Sequence, residues 1–335
     1  MVARTLGRVT RVLVLGGTGF VGPFIVRQLL EGGQDVTLFH RGHREPPEAE
    51  RAKHVHAEFA ELAAYVSRLS HPRPEVVIDV NPGIGKGGHG VLHFADVAER
   101  GIVLTSMDVY RAMSVLWGRS SRPQPMPVTE ESALRDETSP DLTPDLAFDN
   151  LTVEQAVQVR TDFPVTVLRC PFIYGPLDAQ RRLRAYVRRM RDRRPAIVLD
   201  QQFAQMRWSR GYVENVAAAA VAAVSDNRAA GRIYNVAEPD ALNEAEWICA
   251  IADAFGWDGR VVVSEPEALP PDLRVYLPSQ DLFADTSRIR DELGYHERVA
   301  RRDGLTRSIE WELSQSTGEL PPDYSAEDAF LASLP

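Results

Sequence analysis

Lysine is nearly absent: Lys53 and Lys86 are the only two among 38 basic residues, so arginine carries almost all the positive charge. A chemistry that needs a lysine ammonium therefore has few places to find one. Cysteine is equally scarce, and Cys170 and Cys249 lie far apart with no CxxC pair and no histidine pair beside them. That pattern excludes a disulfide framework and a cysteine-rich zinc cluster, and both residues read as small core hydrophobes. No run of about eighteen apolar residues occurs, which excludes a membrane-spanning helix of ordinary length. The opening stretch MVARTLGRVT lacks the apolar segment of a signal peptide, so a cytoplasmic protein is expected. The formal charge of -9 repels phosphate backbones, and nucleic-acid binding would need a local basic patch.

What is present is a chain of 335 residues, enough for one large α/β unit or two modest domains. Arg11 to Leu15 is a short continuous run of branched residues, as expected of a strand buried on both faces of a parallel sheet. It ends in glycines. Phe20 to Glu31 then carries Val21, Ile25 and Leu29 at helical spacing, with Gly32-Gly33 closing the end. Further strands are expected at Val36–Phe39, Glu75–Asp79, Gly101–Ser106 and Pro164–Arg169, with helices at Val91–Arg100 and Val153–Arg160. This alternation predicts an α/β fold: a doubly wound parallel Rossmann sheet over residues 1–175, followed by a smaller C-terminal α+β substrate lobe over 176–335. Part of 207–240 is expected to return to the sheet. In the second half the pattern predicts a basic helix at Arg181–Arg194, an alanine-rich helix at Val213–Val224 and a helix opened by an Asn243/Glu246 capping box. Arg119–Pro144, rich in proline, serine and acids, reads as a long loop.

Gly16, Gly19 and Gly22 stand at GxxGxxG spacing between the first strand and the first helix. Gly16 permits the tight turn, Gly19 lets backbone approach a pyrophosphate, and Gly22 lets helix and strand pack closely. The whole stretch Gly16-Gly17-Thr18-Gly19-Phe20-Val21-Gly22 is thus the candidate dinucleotide cradle. Cofactor choice is read at the end of the second strand, where NAD enzymes carry an acid for the ribose hydroxyls. Here stand His40, Arg41 and Arg44, which suit a 2′-phosphate, so NADP(H) is expected, with NAD as the other option. Glu58, after the next strand, is a candidate for the adenine edge.

These residues, with Thr105-Ser106-Met107-Asp108-Val109-Tyr110, Arg169-Cys170-Pro171-Phe172-Ile173-Tyr174-Gly175-Pro176 and Tyr212-Val213-Glu214-Asn215-Val216, resemble the extended or atypical short-chain dehydrogenase/reductase superfamily. That superfamily holds sugar-nucleotide epimerases and dehydratases. The glycine motif looks most like an atypical subgroup that includes reductases and chloroplast stem-loop-binding proteins. The resemblance implies that Ser106 polarises the reacting oxygen and that Pro171 and Ile173 border the cofactor. It also implies substrate contacts from Asp108, Tyr174, Arg207 and Arg210. The superfamily's YxxxK pair, a proton-moving tyrosine with a lysine that lowers its pKa, has no match. One register places Leu146 and Asn150 at the two positions, and another places Phe148 and Thr152.

Without that pair, proton transfer falls to water, to Tyr110 or to a carboxylate from Asp108, Asp149, Glu130 or Glu131. Lys86, in a glycine-rich loop after a strand, is read either as a cofactor contact or as a solvated charge. His89 and His93 lack a third ligand, and no metal set is assigned. The expected function is an NAD(P)-dependent oxidoreductase, epimerase or dehydratase acting on a small polar or anionic molecule, with a possible homodimer implied by the resemblance. A nucleotide-binding module without turnover is the alternative. An RNA-associated role through the arginine-rich segment is opposed by the acidic total charge.

Overall fold

Branched apolar side chains bury both faces of the first strand, and the inner strands of the sheet largely repeat that arrangement while the two edge strands depart from it. The computed structural model describes residues 9–82, 90–136, 149–315 and 322–334. Six strands come first: β1 (Arg11–Leu15), β2 (Asp35–His40), β3 (Lys53–His56), β4 (Val76–Asp79), β5 (Arg100–Ser106) and β6 (Val165–Cys170). Five follow: β7 (Phe172–Tyr174), β8 (Ala196–Asp200), β9 (Arg210–Tyr212), β10 (Ile233–Asn235) and β11 (Arg260–Ser264). Among the described residues, seven of these form one parallel sheet in the order β10-β6-β5-β4-β1-β2-β3. The order reverses between β1 and β4, and open α/β sheets bind ligands at such a crevice. β7 pairs with β9, and β8 with β11, as two small parallel sheets outside the main one.

The helix Gly22–Glu31 crosses one face of the sheet and packs against the alanine-rich helix Val213–Ser225. Ala217 to Ala220 are all buried there, and their small side chains permit the close approach. Arg100, buried at the start of β5, donates from Nη1 to Ala223 O at 2.8 Å and from Nη2 to Val224 O at 2.5 Å. It thereby satisfies carbonyls that the end of that helix leaves without intrahelical partners. One apolar cluster continues from Val14 and Ile25 through these alanines to Trp247, Ile251 and Leu305, so both halves of the chain share a core.

Two expected helices differ from the structure. The segment read as Val91–Arg100 is a 3-10 turn at Gly90–Phe94, after which Glu99 N bonds to Glu75 O and the chain enters β5. The basic helix spans only Arg184–Arg191, because Arg181 (φ 49°) and Arg193 (φ 53°) adopt left-handed backbone on either side of it. The helix opened by Asn243 forms as its capping box predicts, running Glu244–Phe255 and ending at left-handed Gly256. Among the described residues, no helix is long and apolar enough to cross a membrane.

Candidate active site

The turn after β1 is tight because Gly16 takes a φ of 76°, and Gly16 N bonds back to Phe39 O at 3.3 Å. A Cβ on Gly22 would stand 2.6 Å from Gly17 backbone, so only glycine lets the helix seat against the turn. Gly19 has no neighbour nearer than 3.9 Å to such a Cβ, which leaves its backbone open to an approaching group. Gly17 itself is buried against Leu38 and carries packing instead. Over this turn lies a cavity of about 330 Å³ lined by Gly16, Thr18, Gly19, Phe20, Val21, His40, Arg41, His43, Arg44, Phe59, Val80 and Asn81. The open glycine backbone, the helix N-terminus and the arginines fit the pyrophosphate and phosphates of a dinucleotide. Glu58 does not line this cavity; it is exposed and closes a capping box with Glu61, and the ring of Phe59 takes the lining position. Lys86 and His89 lie outside the described residues.

Asp79 ends β4 beside this cradle. It is fully buried, and its Oδ1 meets no hydrogen-bond donor among the described residues. Burial pushes its carboxyl up to about 7 against the pull of the Asn81 and Val91 amides. A carboxyl raised in the folded state costs nothing where both states are protonated. The folded protein loses stability as pH climbs from the unfolded value towards 7. Asp79→Asn is therefore expected to gain on the wild type across that range, by about 2–4 kcal/mol at pH 8. Urea unfolding at pH 5 and pH 8 reads the difference; a variant that loses ground as pH rises contradicts the assignment.

A second cavity, also of about 330 Å³, opens at the end of β5 and is lined by Ser106, Met107, Asp108, Met113, Trp117, Cys170, Pro171, Phe172, Gln180, Arg182, Ser209 and Leu282. Ser106 Oγ accepts the Asp108 amide at 3.1 Å, which caps the 3-10 turn Met107–Val109 and fixes both residues at the cavity wall. The Asp108 side chain keeps 24% of its surface open. Both of its oxygens accept from Asn150 Nδ2, at 3.1 and 3.0 Å, and Arg135 Nη2 stands 3.9 Å away. Burial pushes the Asp108 carboxyl up to about 6, opposed by Asn150 and Arg135 and aided by Asp149 and Glu154.

Arg135 organises this corner. Its Nε donates to Asp108 O at 2.8 Å, while Nη1 and Nη2 grip both oxygens of buried Asp149 at 2.9 and 2.5 Å. Asp149 in turn caps the helix Asn150–Val159, which carries Asn150 to Asp108. Of the four carboxylates considered as bases, Asp108 alone lines this cavity. Asp149 is held by Arg135, Glu130 Oε1 accepts from Asn235 N at 2.8 Å, and Glu131 pairs with Arg288.

The chain matches the model of the NAD dependent epimerase/dehydratase family over residues 12–237. The chain belongs to this family. Its fold agrees with solved members: UDP-glucose 4-epimerase of Thermotoga maritima, with UDP-glucose, superposes with a TM-score of 0.66 at 16% identity, covering 90% of this chain and 98% of that one. The Thermus thermophilus UDP-glucose 4-epimerase in complex with NAD gives 0.64 at 17% identity, over 92% and 100%. A curated relative, the chloroplast stem-loop binding protein of 41 kDa b from Arabidopsis thaliana, is 24% identical over 96% of this chain and 84% of its own length.

Several residues that the epimerase/dehydratase resemblance suggested for the site occupy other positions. Tyr110, expected as a proton carrier, is fully buried; its hydroxyl donates to Asn235 Oδ1 at 2.6 Å and accepts from Arg169 Nη1 at 2.9 Å. Burial pushes it up to about 12, and it does not line the Ser106 cavity. Tyr174 is likewise buried, bonded to Glu238 Oε1 at 2.7 Å and packed on Tyr212 and Trp247. Arg210 is paired with Glu244 and stacked 4.5 Å from the Trp247 ring. Arg207 lines a separate cavity of about 680 Å³, lying 4.2 Å over Phe283. Pro171 does line the Ser106 cavity, while Ile173 is partly buried against the core. The arginine-rich segment is paired internally: Arg181 with Glu312, Arg182 with Asp178, Arg189 with Glu327, Arg194 with Asp328.

Three groups were not legible as site residues in sequence. Arg135 and Asn150 reach Asp108 from segments 27 and 42 residues away. A histidine cluster of His40, His54 and His56 with Glu45 gathers at the sheet edge, its ligand-type atoms all within 4.8 Å of one another. The His-x-His alternation on β3 was the available signal.

Proposed function

We propose that this protein is an NADP(H)-linked oxidoreductase or epimerase in which Asp108, rather than a YxxxK tyrosine, moves the proton at the reacting oxygen. The observation that carries the reading is the shared wall of the second cavity, where Ser106 and the raised carboxyl of Asp108 stand two residues apart. When bound, the nicotinamide supplies the hydride acceptor and donor. Ser106 hydrogen-bonds the substrate oxygen, and Asp108 takes or returns its proton with a pKa close to working pH. Asn150, at one of the positions where the family's lysine is expected, holds Asp108 by a neutral amide instead of lowering a tyrosine. Arg182, anchored at 2.6 Å to Asp178, adds a cation to the wall and favours a polar or anionic substrate.

The test is to identify the nucleotide that the purified chain carries and then follow reduced-cofactor absorbance against a panel of carbonyl compounds. Turnover that disappears in Ser106→Ala supports the proposal. The missing Tyr–Lys pair favours a second reading, a nucleotide-binding module, which tight binding without turnover of any compound would support.

NADP preference rests on Arg41 and Arg44 at the mouth of the glycine-turn cavity. A charge-assisted contact to a phosphate contributes about 1.5–3 kcal/mol, so Arg41→Ala is expected to weaken NADP by roughly 10- to 100-fold and NAD by much less. Calorimetric titration with each nucleotide checks this, and equal weakening contradicts the preference.

A further inference from the structure

The geometry points to a metal-ion site at the outer edge of the sheet, in which Glu45, His54 and His56 hold one divalent first-row transition ion of the zinc class, with His40 against it. β3 is the edge strand and pairs in parallel with β2, in a register that sets His56 beside His40. Alternation along β3 turns His54 and His56 to one face. Glu45, from the loop after β2, closes over them: its Oε1 is 2.8 Å from His56 Nε2 and 4.0 Å from His54 Nδ1. Donors around tetrahedral zinc, at bond lengths of about 2.0–2.2 Å, stand roughly 3.3 Å apart, so small rotations of the exposed Glu45 and His56 side chains towards the more buried His54 bring all three onto one ion.

His54 carries the preorganisation. Its Nε2 lies 3.0 Å from Ala49 O, and since a carbonyl only accepts, the ring proton sits there and the Nδ1 lone pair faces the cluster. Metal-bound imidazoles show this same outer hydrogen bond to a backbone carbonyl. His40 Nε2 stands 2.8 Å from His54 Nδ1 and donates to it; the ion displaces that bond, and water completes the fourth position. Two imidazoles with one carboxylate suit zinc, cobalt or nickel better than magnesium or calcium, which prefer all-oxygen sets. His40 also lines the dinucleotide cavity, so a bound ion adds positive charge beside Arg41 and Arg44. The metal site stands on its own donors and is independent of the cofactor reading.

The full chain, stripped with a chelator and dialysed, is titrated with zinc chloride alone by calorimetry, with metal content read by mass spectrometry. One ion per chain, a raised Tm, and at least tenfold weaker binding in both His54→Ala and His56→Ala are expected. His296→Ala, at an exposed histidine outside the cluster, leaves binding unchanged. Equal Tm values of the variants and wild type in chelator show that the variants fold. Absence of saturable binding, or binding that survives in the double variant His54→Ala/His56→Ala, overturns the site.

Discussion

Replacing Asp108 with asparagine is expected to lower kcat by about 10²–10³ while nucleotide affinity stays within twofold, because a positioned proton carrier contributes that much and the side chain lies outside the glycine-turn cavity. The pH profile is the sharper test. Oxidation of an alcohol needs the carboxylate, so the wild-type rate rises as pH passes upward through about 6, the value to which burial brings Asp108. Reduction of a carbonyl needs the protonated acid, and its rate falls through the same point. Asparagine removes both limbs and keeps the size of the side chain. A variant that retains the limb near pH 6 assigns the proton to another group and removes Asp108 from the mechanism. Isosteric replacement of Asn150 by leucine releases one partner that pulls the carboxyl down, so the limb moves upward in pH.

Beneath the cavity, Glu154→Leu is expected to destabilise the fold by about 3–5 kcal/mol, the usual consequence of stranding a buried charge. Glu154 is fully buried at the inner face of its helix, where Arg169 Nη2 binds it at 2.7 Å and Thr105 Oγ1 donates at 2.8 Å. Arg169 is 1% exposed and lies 4.8 Å over the Tyr110 ring, so losing the carboxylate leaves its charge buried. The double variant Glu154→Leu/Arg169→Met removes both charges and is expected to recover most of the loss. Denaturant unfolding of both single variants and the double closes the cycle. If the double falls as far as the sum of the singles, the two side chains do not act as a pair.

The sheet was legible because its signals are local. The four apolar residues after Arg11, the glycines at 16, 19 and 22 and the capping box at Asn243 each announce an element within a few positions, and each forms where expected. The cradle followed from the same local grammar. Proton chemistry did not, since whether a tyrosine at the end of β5 is free depends on Asn235, 125 residues later, and on Arg169. Those partners turn Tyr110 into part of a buried polar core. Asp108 shows the converse: burial raises its carboxyl, and the partners that pull it back down, Asn150 and Arg135, come from distant segments. The His-x-His spacing on β3 hints at the histidine cluster, but its meeting with His40 depends on the register between β2 and β3, which is not written locally.

The return of β10 to the sheet has a temporal meaning. Ile233 to Asn235 supply the last strand beside β6, and Asn235 completes the partners of Tyr110 and Glu130. A nascent chain that has emerged only as far as Cys170 exposes a bare strand edge and leaves Arg100 without the Ala223 and Val224 carbonyls. About sixty residues more must be made before β10 can pair with β6, so this edge of the sheet closes late in synthesis.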